Sequence, residues 1–323
     1  MQAILVERTG GPEAMRIADV PEPAAGPGEA RIKIESIGVN FIDVYYRTGA
    51  YKAPKMPFTP GMEASGTVEA VGEGVTTVKP GDRVAYSSAL GAYADVAAVP
   101  ADKLVHVPSG VSFEEAAAIM LQGMTAEYLS HTTFPLKEGD VALVHAGAGG
   151  VGLLLTQMAK ARGATVIATV STDEKAELSR GAGADYVVMY THEDFAKEAR
   201  RLTDGRGVDV VYDAVGAETF DGSLQSLRPR GMLVLYGAAS GPVPAFDLQR
   251  LNAGGSLFLT RPSLFHYTAT REELDQRATA CFNMIKTGKL EVRIGARFDL
   301  ADAADAHRAL EARKTTGKVL LAP

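Results

Sequence analysis

Gly147-Ala148-Gly149-Gly150-Val151-Gly152 fits the spacing G-x-G-x-x-G, with an extra glycine inside it. Such a run forms a phosphate cradle when it joins a buried strand to a helix. Bare backbone can then approach a pyrophosphate, and the first N–H groups of the helix have no partner within it. Here the run follows the apolar Val141–His145 and opens the helix-like Val151–Arg162. That context favours a dinucleotide site over a glycine-rich turn without a ligand. On this reading Gly147 makes the tight turn, Gly149 admits the pyrophosphate and Gly152 lets the helix pack on the strand.

An NAD site places Asp or Glu at the end of the second strand, about 20 residues on, to hold the ribose hydroxyls. That strand ends here in Ala168-Thr169-Val170-Ser171. Ser171 is neutral, Lys175 follows early in the next helix, and Tyr190 ends the third strand on the same edge. All three can donate to an extra 2′-phosphate, and no carboxylate stands there to repel it. The expected cofactor is therefore NADPH. Asp173 reads as a first-turn acid that suits a helix dipole. Lys175 taken alone also reads as a solvated helix lysine.

The elements that must hold these residues follow a clear rhythm. Val141–His145, Thr165–Val170, Tyr186–Tyr190, Val208–Asp213, Met232–Tyr236 and Ser256–Thr260 are six apolar strands with helical segments between them, including Asp173–Arg180 and Glu193–Leu202. Buried runs alternating with helices specify a six-stranded, doubly wound parallel sheet of the Rossmann type. Before it, Gln2–Val6, Ala30–Ile37, Gly66–Val71, Arg83–Tyr86 and Tyr93–Val99 are short strands punctuated by glycine and proline, which suggests a partly open β-barrel. Ser112 with Glu115 is a capping box that starts a helix. Arg271–Lys286 and Ala301–Arg313 read as helices and Lys318–Leu321 as a last strand. This tail is expected to return to the barrel. The divisions are then 1–122 and 263–323 for the barrel and 123–262 for the nucleotide domain.

Composition excludes several other classes. With 46% hydrophobic and 22% charged residues and no low-complexity tract, the 323-residue chain is globular and α/β. A net charge of −6 without basic runs makes a nucleic-acid partner unexpected. No signal-peptide pattern or bilayer-length apolar run is present, so a cytoplasmic location and no membrane are expected. The single Cys281 cannot make an intrachain disulfide or a four-cysteine zinc site.

Four stretches together resemble the medium-chain dehydrogenase/reductase superfamily: Gly38–Asp43, Pro60–Gly66, Val78–Val84 and the Gly147–Gly152 loop. The resemblance implies a GroES-like catalytic domain joined to the Rossmann-type sheet. In the zinc alcohol dehydrogenases of that superfamily the first stretch carries a cysteine ligand and the second a histidine ligand. This chain has Asn40 and Met62 there, and about Leu121 at the third position. Glu63 remains, but one carboxylate does not make a catalytic zinc site. The zinc-free branch most similar is NADPH:quinone oxidoreductase, through Asn40–Tyr45, Ser88–Tyr93, Val211–Gly216 and Thr260–Leu264.

This likeness carries residue roles with it. It implies Asn40, Tyr45 and Thr125 near the nicotinamide, and Gly149, Gly150 and Val151 on the pyrophosphate. It implies Ser171, Lys175 and Tyr190 on the 2′-phosphate, and Val215, Gly237, Ser240, Phe258 and Thr260 along the cofactor cleft. Lys318 would reach the cofactor from the returning tail, and His145 is read as core. Tyr45 and Tyr51 are the candidates to flank an aromatic acceptor, though Tyr51 reads equally as a surface tyrosine of the Gly49–Pro57 loop. Hydride transfer to a quinone requires no nucleophile or metal. The alternatives are reduction of an enone or enoyl double bond, and a low-turnover NADPH-binding regulator. Ser256–Thr260, an apolar edge strand, is the expected homodimer contact.

Overall fold

Alternation of apolar and polar residues sets the strands of the first unit. The computed structural model describes residues 1–323. β1 (Gln2–Val6) pairs antiparallel with β2 (Met15–Asp19). β3 (Glu29–Val39) buries Ala30, Ile32 and Ile34 while Lys33 and Glu35 face out. Its last four residues, Ser36 to Val39, are buried without alternation. α1 (Phe41–Thr48) follows directly. β4 (Glu63–Val71), β5 (Arg83–Ser87), β6 (Val96–Pro100) and β7 (Leu104–His106) extend the sheet. α2 (Phe113–Tyr128) starts at the Ser112–Glu115 capping box, where Glu115 N–H donates to the Ser112 hydroxyl at 3.1 Å and Ser112 N–H to the Glu115 carboxylate at 2.8 Å.

The second unit repeats strand and helix. β8 (Val141–Val144), α3 (Gly150–Ala161), β9 (Thr165–Val170), α4 (Asp173–Gly181), β10 (Tyr186–Met189) and α5 (Phe195–Arg201) form its first half. β11 (Val208–Asp213), α6 (Phe220–Ser226), β12 (Leu227–Leu235), α7 (Gln249–Ala253), β13 (Phe258–Thr260) and α8 (Leu264–Tyr267) form the second. The strand order is β10-β9-β8-β11-β12-β13, all parallel. The order reverses between β8 and β11, the place where ligands enter such sheets. β13 begins two residues later than the expected Ser256, because Ser256 has φ +58° and cannot continue a strand.

The tail is α9 (Arg271–Lys286), β14 (Ile294–Asp299), α10 (Ala303–Glu311) and β15 (Lys318–Ala322). β15 lies antiparallel to β3 and parallel to β14, so the chain end completes the first unit's sheet. The first unit comprises Met1–Met124 with Thr268–Pro323, and the second Thr125–Tyr267. These divisions fall two and five residues beyond those expected from sequence. α2 runs unbroken through the first boundary, and the Tyr267 ring stacks on Tyr128 at 4.2 Å and keeps α8 with the second unit. No helix is long and apolar enough to cross a membrane.

β2, β7, β14 and α1 do not stand out in the sequence. β14 is short, half-exposed and interrupted by Gly295. The β14–β15 register shifts between Ile294 and Ala296, and a Cβ on Gly295 would lie 1.7 Å from the Thr316 carbonyl oxygen, two residues before Lys318. Gly295→Ala must push β15 away at this bulge. It is expected to cost about 1–3 kcal/mol, read by chemical denaturation. An unchanged stability would mean that the bulge accommodates a side chain.

Candidate functional site

In the first unit, buried polar groups gather where β3 gives way to α1. Asn40 occupies the N-cap of α1, and the Asp43 carboxylate accepts its N–H at 2.9 Å. The Asn40 side chain also reaches beyond the helix start. Its Nδ2 donates to Glu63 Oε2 at 2.7 Å and to the Gly38 carbonyl at 3.3 Å. Its Oδ1 accepts from Lys318 Nζ at 2.9 Å and from Gln122 Nε2 at 3.1 Å. An asparagine amide has two donors and two lone pairs, so all four are used. Glu63 is fully buried, pairs with the Lys318 ammonium and accepts the Leu121 N–H. Gly38 must lack a side chain, because a Cβ there would meet Glu63 Oε2 at 2.3 Å.

Lys318 is 1% exposed, and its ammonium pairs with Glu63 and donates to Asn40, because a buried carboxylate demands a counter-charge. Asn40 acts as the connector of this cluster. Gln122, Asp43, Tyr93 and His307 were not singled out from sequence. Asn40-x-x-Asp43 is an N-terminal helix signature, but a tertiary cluster contributed by distant segments leaves no local signal.

A second layer lies behind Asp43. Tyr93 Oη donates to Asp43 Oδ2 at 3.1 Å and contacts His307 Nε2 at 3.0 Å. Burial pushes the Asp43 carboxyl up to about 7, against the lowering hydrogen bonds from Asn40 and Tyr93. Burial, with the nearby Arg47 charge, pushes His307 down to about 3. Arg47 is itself buried, donating to the Gly10 carbonyl at 3.0 Å and to Glu311 at 2.7 Å.

α1 and the loop after it carry the aromatic group. Tyr45 and Tyr51 have ring centroids 5.2 Å apart, and Tyr46 meets Tyr51 edge-on at 5.8 Å. Tyr51 N–H donates to the Tyr45 carbonyl at 2.9 Å, and its side chain is 40% exposed. The two expected tyrosines are thus brought together.

In the second unit, the glycine loop leaves β8 and enters α3. The positive φ falls on Ala146, at +53°, rather than on Gly147. Gly147 is required because a Cβ would lie 2.7 Å from the Ala168 Cβ, and Gly152 because one would lie 2.3 Å from the Ala146 carbonyl oxygen. A Cβ on Gly149 would lie 3.1 Å from the Ala146 carbonyl oxygen, closer than an ordinary contact. No side chain caps α3, which leaves the N–H groups of its first turn, Gly150 to Gly152, for an anion.

Ser171 follows β9 directly, with Lys175 Nζ 3.4 Å from its hydroxyl. Tyr190 follows β10, donates its N–H to the Val170 carbonyl at 3.1 Å and is exposed. Asp173 is the first residue of α4, behind the Thr172 cap. Ser240 N–H and hydroxyl both reach the Val215 carbonyl at 2.8 Å. A Cβ on Gly237 would lie 2.4 Å from the Ala214 carbonyl oxygen, so these two loops pack backbone to backbone. Phe258 and Thr260 share one face of β13, and Thr125 is buried in α2. The loop, the uncapped helix start and the Ser171–Lys175–Tyr190 corner fit a dinucleotide with a 2′-phosphate. Asn40, Tyr45, Tyr51 and Lys318 belong to the first unit and the remaining expected site residues to the second.

Residues 150–281 match the model of the zinc-binding dehydrogenase family, and residues 26–109 match the alcohol dehydrogenase GroES-like domain. The quinone oxidoreductase of Pseudomonas aeruginosa is 48% identical over 315 residues, 97% of each chain. The 2-haloacrylate reductase of a Burkholderia species is 42% identical over 330 residues, covering 100% of this chain and 99% of its own. Mycobacterial Rv1454c, solved in complex with NADPH, aligns over 100% of both chains with 55% identity and a TM-score of 0.97. Although the first family description names zinc, Asn40 and Met62 here are a saturated amide and a buried thioether. No group of three or more His, Cys, Asp or Glu residues that could hold a metal ion occurs in the structure.

The Lys318–Glu63 pair can be tested by a double-mutant cycle. Lys318→Met leaves Glu63 buried without a counter-charge and is expected to cost about 3–5 kcal/mol. Adding Glu63→Gln is expected to recover most of that loss, since no charge then remains. Urea unfolding of the wild type, both single variants and the double variant measures the coupling. Additive losses would show that the two groups do not act as a pair.

Proposed function

The chain belongs to the zinc-independent NADPH:quinone oxidoreductase branch of the medium-chain dehydrogenase/reductase superfamily, and on this footing we propose that it reduces quinones by direct hydride transfer without a metal ion. The observation that carries the metal-free reading is the Lys318 ammonium against Glu63 and Asn40. Glu63, next to Met62, is already neutralised by Lys318, and the residues at the ligand positions are not metal donors.

The chain's own residues then have limited tasks. NADPH, when bound, supplies the hydride. The uncapped start of α3 and the backbone at Gly149 hold the pyrophosphate. Ser171, Lys175 and Tyr190 hold the 2′-phosphate. Tyr45 and Tyr51 offer two adjacent rings, with phenol groups, to a planar acceptor. A hydroquinone anion is a stable product that water or one phenol can protonate, so no strongly shifted base is called for. Position and exclusion of water do the remaining work.

A second reading is the reduction of an activated carbon–carbon double bond, favoured by the 42% identity with a reductase of 2-haloacrylate, an electron-poor alkene. A panel of quinones, enones and haloacrylates, followed by loss of NADPH absorbance, separates the two. Turnover of alkenes with none of quinones would overturn the first reading. For the cofactor, Lys175→Ala is expected to raise the NADPH KM about tenfold or more while leaving NADH nearly unchanged. Equal losses with both would show that Lys175 does not read the phosphate.

Assembly as a two-fold dimer through the second unit completes the proposal. β13 is the edge of the parallel sheet, it carries no charge, and Phe258 on it is 56% exposed. Such an edge invites a second copy. Leu257 lies just before the strand and donates its N–H to the Leu251 carbonyl, so a proline there would break a turn within the chain. Phe258→Lys is the cleaner probe. Light scattering is expected to find a dimer for the wild type and a shift to monomer for the variant. A monomeric wild type, or a dimer that the substitution leaves undisturbed, would refute the edge contact.

A further inference from the structure

We infer that a buried chain of side chains, Thr169–His145–Ser223–Asp213, positions the loops of the second unit that receive the dinucleotide, and so sets cofactor affinity rather than the rate of hydride transfer. The inference rests on the reading of this unit as the NADPH site, and goes beyond it by assigning roles to four residues that make none of the proposed contacts.

The direction of every hydrogen bond in the chain can be deduced. Asp213 is fully buried at the end of β11. Its Oδ1 accepts the N–H groups of Val215 at 2.8 Å and Gly216 at 3.0 Å. The Thr219 hydroxyl reaches both carboxylate oxygens, at 2.9 and 2.8 Å, and the Ser223 hydroxyl donates to Oδ2 at 2.9 Å. The only proton on Ser223 Oγ is thereby used. Ser223 must accept from His145 Nε2, 3.0 Å away, which makes Nε2 the protonated nitrogen. Nδ1 is then bare and accepts the Thr169 hydroxyl at 2.9 Å. Burial lowers the imidazole pKa, against the raising effect of Asp213, and so favours the neutral ring.

The placement of the four residues gives the chain its task. His145 follows β8 directly, Thr169 lies near the end of β9, Asp213 ends β11, and Ser223 sits on α6. β8 and β11 flank the reversal of strand order. Thr169 stands two residues before Ser171 and Asp213 two before Val215, both proposed cofactor contacts, and His145 stands two before Gly147, where the phosphate loop begins. The link to the loop is also direct, since Gly147 N–H donates to the Thr169 carbonyl at 3.0 Å. Between His145 and Gly147 lies Ala146, whose φ of +53° is unfavourable for a residue with a Cβ. Such a conformation persists only where its surroundings over-determine it. His145, held at both nitrogens and packed edge-on against Phe195 at 4.7 Å, supplies that restraint. A fully satisfied polar network in a core fixes one arrangement, whereas an apolar side chain of similar size would fill the space without fixing it.

Thr169→Val removes the hydroxyl and keeps the shape, while Thr169→Ser keeps the hydroxyl. Direct titration of each protein with NADPH and with NADH, without an acceptor, reads the effect. Thr169→Val is expected to raise both dissociation constants by a similar factor of about ten, because the loops serve parts common to both cofactors. At saturating NADPH its kcat should stay within about twofold of wild type, and Thr169→Ser should restore binding. Ser223→Ala breaks the next link and must weaken both cofactors too, which covers the case in which Thr169→Val does not fold. Wild-type affinity in either folded variant that breaks a link overturns the inference, as does a fall in kcat with unchanged binding. A wild type that binds neither dinucleotide would instead refute the nucleotide reading itself.

Discussion

A buried carboxylate cannot stay unpaired, and in the first unit Glu63 is that carboxylate. Leaving it alone in the interior would cost several kcal/mol or force it to take up a proton. Lys318, more than 250 positions away along the chain, supplies the opposite charge. The pair ties the start of β15 to the start of β4. It also explains the glycine at 38, which leaves room for the carboxylate, and the orientation of Asn40, which bridges the pair. The N–H of Leu121 satisfies the other carboxylate oxygen and ties α2 to the same point.

The second unit solves a similar problem with neutral groups. Asp213 is equally buried, but hydroxyls and backbone N–H groups surround it rather than a cation. The two units therefore bury polar groups for different ends. One holds a compact ion pair bridged by Asn40. The other stretches a chain of directed hydrogen bonds across the ends of three neighbouring strands.

Much was legible in the sequence. Thr165–Val170, Val208–Asp213 and Arg271–Lys286 read to their ends because apolar runs and a Thr-x-x-Glu cap mark them locally. The glycine loop read correctly as a strand-to-helix turn, although the strained φ fell one residue earlier, on Ala146. α1 escaped notice because its helix pattern is only eight residues long and follows a strand without a linker. β2 and β7 escaped because they are short and gain stability from pairing, and β14 because Gly295 interrupts it and none of its residues is fully buried.

Residue type and spacing by themselves determined the succession of a β-rich unit and a doubly wound unit, the phosphate loop, and the lack of an acid at the end of β9; the family resemblance added the loss of cysteine and histidine at the ligand positions. These are local properties, carried by neighbours in the chain. Tertiary structure alone decided which polar residues meet. Asn40, Glu63, Gln122 and Lys318 come from four separate segments, and so do His145, Thr169, Asp213 and Ser223. It directed the Lys318 amine inward, saturated the Asn40 amide, and fixed the His145 tautomer. The physical reason is the same in each case: a buried donor or acceptor takes whichever partner the packing brings within about 3 Å, and that partner's place in the chain leaves no trace in the spacing of either residue.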